Sequence, residues 1–110
     1  MIIVNLTQHE ITLVSTIRNS ILPASGGIAR VSTTRTSRPA IVTGEGQEIS
    51  VSAIVTGDVV GLPPPTDGTV FVVSAMVASA VLRRDVFSPG DLVRDAAGVV
   101  TGCRGLTSYA

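Results

Sequence analysis

The chain has 110 residues and a mass of 11.3 kDa, the size of a single domain, residues 1–110. Hydrophobic residues make up 45% and charged residues 15%, which excludes intrinsic disorder, and the eight basic and eight acidic residues cancel, which excludes general nucleic-acid binding through bulk charge. One cysteine and one histidine exclude a disulfide framework and a structural zinc site.

In chain order, Ile2–Leu6 is a β-branched run and Glu10–Val14 alternates polar with apolar. With the polar Thr7-Gln8-His9 between them, they read as a hairpin. Arg18–Ser20 is a turn, Ala24–Gly27 a loop, and Ile28–Ser32 resumes strand character. The tract from Arg30 to Arg38 is basic and rich in hydroxyls, an edge strand or a loop that Pro39 ends. Ala40–Thr43 is a short strand and Gly44-Glu45-Gly46 a turn. Glu48–Val55 alternates, with Ile49, Val51, Ala53 and Val55 on one face. Pro63-Pro64-Pro65 forbids helix and stiffens the chain toward polyproline II.

Thr69–Val73 is apolar on both faces, the pattern of a buried strand. Ser74 is placed to cap a helix from Ala75 to about Arg84, apolar almost all round and so expected to be buried, inside the domain or against a partner chain. Arg83 and Arg84 suit the negative end of its dipole. Ser88–Asp91 reads as a turn, Leu92–Arg94 as a strand, Asp95–Gly98 as a hairpin loop and Val99–Cys103 as the return strand. Many short strands with glycine and proline punctuation give a mainly β (α+β) fold, a small compact β-barrel or two-layer β structure with one buried helix at about 75–84.

A mean hydropathy of +0.50 supplies more apolar surface than one small core hides, so a homo-oligomer is expected. The longest apolar stretch, Val70–Leu82, is interrupted by Ser74 and Ser79 and falls short of the about 20 residues a bilayer span requires. A soluble, cytoplasmic protein is expected, with Cys103 free and reduced.

All eight basic residues are arginine, whose planar fork suits phosphate and carboxylate. Arg94 and Arg104 lie on the two arms of the C-terminal hairpin, where a bound anion or Asp91 and Asp95 would separate their charges. The strand–Ser74–helix junction offers backbone amides to an anion or simply satisfies its own cap, and no glycine-rich nucleotide fingerprint accompanies it. His9 is the one side chain suited to proton transfer near neutral pH, but no nucleophile–carboxylate pair stands beside it in the sequence. No carboxylate spacing fits a metal site, and no cofactor or catalytic set is expected. Cys103 reads as a buried structural cysteine.

The opening Val4-Asn5-Leu6-Thr7-Gln8-His9-Glu10-Ile11 resembles the start of a group of short bacteriophage and actinobacterial proteins that open with Asn-Leu-Thr-Pro-His. Gly61–Pro65, Val73–Ala78, Pro89–Asp95 and Gly102–Leu106 continue the likeness, whereas residues 14–56 match loosely and Gln8 replaces the usual proline. The resemblance implies a phage or mobile-element origin and the host cytoplasm as the site of action. The expected role is non-enzymatic ligand binding, sequestering a nucleotide-derived immune signal in a pocket between protomers, with Thr7, His9, Ser74, Arg94 and Arg104 as ligand-binding residues. The alternative is a protein-interaction module that docks on a host protein.

Overall fold

A computed structural model describes residues 1–110. Its strands are β1 (Ile2–Asn5), β2 (Ile11–Leu13), β3 (Ser20–Leu22), β4 (Arg30–Val42), β5 (Glu48–Val60), β6 (Thr69–Val72), β7 (Val86–Arg94) and β8 (Val100–Ser108). One helix, α1 (Ala75–Val81), lies between β6 and β7. The fold is mainly β, as the sequence leads one to expect. Six strands form a nearly closed, barrel-like sheet in the order β1-β6-β7-β8-β2-β3, and β4 and β5 form a separate two-stranded ribbon.

The centre of the sheet is a βαβ unit. β6 lies between two parallel neighbours, β1 (Ile2↔Thr69) and β7 (Phe71↔Val86), and α1 makes the crossover such pairing requires. Burial on both faces explains the unbroken apolar run. Phe71 and Val73 join Leu6, Ala29, Val77, Ala78 and Val86 in the core, while Val72 is fully buried between them in sequence.

The helix is shorter and more exposed than its composition implies. It ends at Val81 because Leu82 turns left-handed (φ 51°), and it buries Val77 and Ala78 while Met76 stays 46% exposed. Arg83 therefore lies outside the helix rather than at its dipole. Its guanidinium forks onto the Asp85 carboxylate (3.0 and 2.7 Å), donates to the Pro63 carbonyl (3.0 Å) and stands over the Phe71 ring. One ion pair thus ties the proline segment to the β6–β7 crossover.

β1 and β2 do not form a hairpin. β1 joins the parallel ladder with β6, while β2 pairs with β3 (Ile11↔Leu22) and with β8 (Leu13↔Cys103). The intervening turn is built by Asn5, which sends the chain across the barrel instead of back along β1. Ser88–Asp91 is likewise not a turn: Pro89 and Gly90 lie within β7, opposite Leu106 and Gly105. Glycine lets the strands pack closely there, because a Cβ on Gly90 would displace the Thr107 hydroxyl and crowd the Thr107 backbone nitrogen at 3.3 Å.

The basic tract is strand, not loop. β4 runs through Pro39, which sits where the register shifts between Arg38 and Ile41; a bulge tolerates the missing N–H. β4 and β5 together project from the body as an arm in which no residue is fully buried. Val31 and Val59 at its base pack against the core. The arm lengthens the molecule to 56 × 38 × 23 Å and raises its radius of gyration to 17.8 Å, against about 13 Å for a globule of this length. No helix is long and apolar enough to cross a membrane.

Candidate functional site

Asn5 is 1% exposed and organises the turn after β1. Its Nδ2 donates to the carbonyls of His9 (2.9 Å) and Leu22 (3.1 Å), so it also joins β1 to the far edge strand, β3. Its Oδ1 accepts the Thr7 N–H (2.9 Å) and the Thr7 hydroxyl (2.6 Å), and its own carbonyl accepts from the Ser25 N–H and hydroxyl. A buried polar side chain with every group paired fixes one geometry. Asn-Leu-Thr-x-His is therefore a folded unit: Asn5 is the hub, Leu6 enters the core, and Thr7, Gln8 and His9 are held on the rim of a cavity.

That cavity has a volume of about 310 Å³ and lies where the turn meets the base of the arm. Thr7, Gln8, His9, Arg30 and Ser74 supply its polar lining, and Leu6, Ile28 and Ala29 its apolar wall. Three of the residues expected to bind ligand thus come together, Ser74 joining the neighbours Thr7 and His9 from far along the sequence. Ser74 caps α1 by accepting the Val77 N–H at 3.4 Å, which leaves its hydroxyl proton free to donate. Thr7 is less free, because its one hydroxyl proton is directed at Asn5 Oδ1 or, at 2.9 Å, the His9 carbonyl. No side chain hydrogen-bonds to the His9 imidazole, and the Arg30 guanidinium has neither a hydrogen-bond partner nor an ion pair.

Arg94 and Arg104 lie elsewhere. In the β7–β8 ladder Arg94 stands opposite Val100, four residues before Arg104 along β8, so the two do not form a facing pair. Arg94 donates to the Gly98 carbonyl (2.9 Å) and braces the hairpin turn, where Asp95 Oδ1 accepts the N–H groups of Ala97 and Val99. Arg104 borders a separate concavity of about 440 Å³ with Val14, Ser15 and Thr16.

A further cavity, of about 330 Å³, lies between β2, β7 and β8, lined by Glu10, Ile11, Leu92, Val100 and Cys103 among others. Its one charged residue is a carboxylate, which disfavours an anion. Cys103 is 1% exposed, and burial pushes its thiol above the ordinary range, so the neighbouring Arg104 does not activate it. No group of His, Cys, Asp and Glu is placed to hold a metal ion.

Arg30 and Asn5 are the residues that reading the sequence missed at this site. Arg30 was visible only as part of the basic tract, and what joins it to His9 is the contact between the arm's base and the first turn. No known protein family, no curated protein and no solved structure matches this chain.

Proposed function

We propose that the chain is a non-enzymatic binding protein that takes up a small phosphate-bearing ligand in the cavity between the first turn and the arm. The observation that carries this reading is the convergence of Arg30, His9 and Ser74, each with hydrogen-bond donors unused within the chain, on a concavity of about 310 Å³ with an apolar wall. That volume lies at the lower end of the range for small-molecule sites, about 300–1,000 Å³. An arginine fork recognises two phosphate oxygens at once, and a hydroxyl and an imidazole N–H add further donors.

With the resemblance to small phage proteins, the reading becomes sequestration of a nucleotide-derived immune signal, a role that needs affinity and no reacting group. Docking on a host protein is the second reading, and the exposed arm is the observation that favours it.

The test is calorimetric titration with adenosine diphosphate, a cyclic dinucleotide and inorganic phosphate as probes, preceded by native mass spectrometry for anything that co-purifies. At least one nucleotide should bind, and Arg30→Ala should weaken it by roughly tenfold or more, the effect of about 1.5–3 kcal/mol for a charged hydrogen bond. Arg94→Ala should bind as the parent does. Unchanged affinity in Arg30→Ala would remove the cavity from consideration.

A further inference from the structure

The cavity between β2, β7 and β8 takes no part in the phosphate reading, and its lining has the opposite character. It is built on three strands rather than on loops. β8 contributes the run from Val100 to Cys103. β2 meets β8 at the single ladder pair Leu13↔Cys103, an approach that Gly102 permits, since a Cβ there would stand 2.8 Å from the Thr12 carbonyl oxygen. On the β7 side, Pro89 and Leu92 are three residues apart and would face opposite sides of a regular strand. Asp91 between them is left-handed (φ 46°), which breaks the alternation, and both residues line the same concavity. A non-glycine residue rarely holds that conformation, and Asp is among those that tolerate it.

The groups left free in this cavity are acceptors. Glu10 is its one charged residue, and the carboxylate has neither an ion pair nor a hydrogen bond within the chain, where Arg83–Asp85 is the sole ion pair. The Thr101 hydroxyl donates its proton to the Val93 carbonyl at 3.3 Å and so turns an accepting oxygen outward. Beside these stand Leu92 and Val100, which remain 42 and 45% exposed although they lie on the central hairpin of the sheet. A concavity of about 330 Å³ thus combines an unpaired negative charge with uncovered apolar surface.

We infer that this second cavity binds a small organic cation, a primary amine carried on a short apolar body. An ammonium has three donors and no acceptor, the complement of the free groups present. Its bond to a carboxylate is charge-assisted, which a neutral alcohol of the same shape lacks and a carboxylate ligand reverses into repulsion. The apolar body covers Leu92 and Val100, and the volume is that of the smaller ligand sites, about 300–1,000 Å³.

The test is amide NMR of the full chain titrated with phenethylamine, 2-phenylethanol and 3-phenylpropanoate. The amine should bind with a dissociation constant of about 1 mM or lower, and shift the amides of Glu10–Thr12, Leu92 and Val100–Cys103. The alcohol should bind more weakly and the acid not at all. Glu10→Gln should weaken the amine roughly fivefold, a charged hydrogen bond discounted for solvent screening, and leave the alcohol as it was. Val100→Trp, at a half-exposed position, should fill the cavity and abolish both. Arg30→Ala should leave amine binding unchanged, so failure here and failure at the phosphate cavity are read separately. No shifts with the amine, equal affinity for amine and alcohol, or an amine affinity indifferent to Glu10→Gln or Val100→Trp would overturn the proposal.

Discussion

Replacing Asn5 by alanine tests the central role given to the first turn. The side chain makes hydrogen bonds to His9, Leu22 and Thr7, four in all. One of these has a fallback, because the freed Thr7 hydroxyl can donate to the His9 carbonyl 2.9 Å away. Three bonds then have no replacement within the chain, and at about 1 kcal/mol each, net of water, the loss is about 3 kcal/mol. That is a large part of the about 5–15 kcal/mol that holds a domain of this size. Urea unfolding followed by far-UV circular dichroism should show a lower midpoint with an unchanged slope, the mark of lost stability without a change in the surface exposed.

Asn5→Asp sharpens the test. It keeps the two acceptor contacts but turns a carboxylate toward the carbonyls of His9 and Leu22. Burial and those oxygens raise its folded pKa above the unfolded value of about 3.9, so its deficit should be greatest at neutral pH and narrow as pH falls through the folded pKa toward the unfolded one. A loss below about 1 kcal/mol in Asn5→Ala, or an Asn5→Asp deficit indifferent to pH, would refute the hub.

Gly61 and Gly98 share a left-handed backbone, φ +84° and +83°, but a Cβ on Gly61 would stand 2.3 Å from the Ile28 carbonyl oxygen while one on Gly98 meets nothing. Gly98→Ala should therefore cost about 1 kcal/mol of backbone strain, and Gly61→Ala several times that or failure to fold, compared by thermal melts. Asp85 is held below the ordinary carboxylate range first by its hydrogen bonds from Arg83, against an opposing effect of burial. A depressed folded pKa gives stability that is present above the unfolded pKa and lost as pH falls through the folded one. Asp85→Asn should thus be the less stable protein at neutral pH and converge on the parent in acid, read by denaturant midpoints across pH. Cys103, buried and with a raised pKa, should react with a thiol reagent slowly in the folded protein and fully in urea; fast native reaction would contradict its placement.

What could be read from the sequence follows the range over which each signal acts. The buried strand at Thr69–Val73 and the Ser74 cap are set by near neighbours, and both are present. The alternation at Glu48–Val55 identifies a strand and its apolar face correctly, yet nothing local says that the strand continues to Val60 or that its apolar face meets no core. β1 and β2 carry good strand patterns and still mislead, because their partners are β6 and β8, far along the chain. At the site, Thr7 and His9 were legible as neighbours in a polar turn. Their meeting with Arg30 and Ser74 depends on tertiary contact, whereas the hairpin loop at Asp95–Gly98 was legible locally and Arg94 and Arg104 do lie on its two arms, Arg94 opposite Val100.

The pairing of Ile2 with Thr69 and of Leu13 with Cys103 also fixes an order of events during folding. β1 has no sheet partner until β6 exists, and β2 and β3 cannot join the barrel before β8 has formed. The arm is the opposite case, since β4 and β5 are joined by a short turn at Thr43–Gln47 and can pair on the microsecond scale of a local hairpin. Distant pairings of this kind are slow because loop closure must precede any contact that rewards it. The ribbon that contributes least to the core is therefore, with the β7–β8 hairpin, among the pieces able to assemble early, and it separates the two halves of the sheet while they wait for one another.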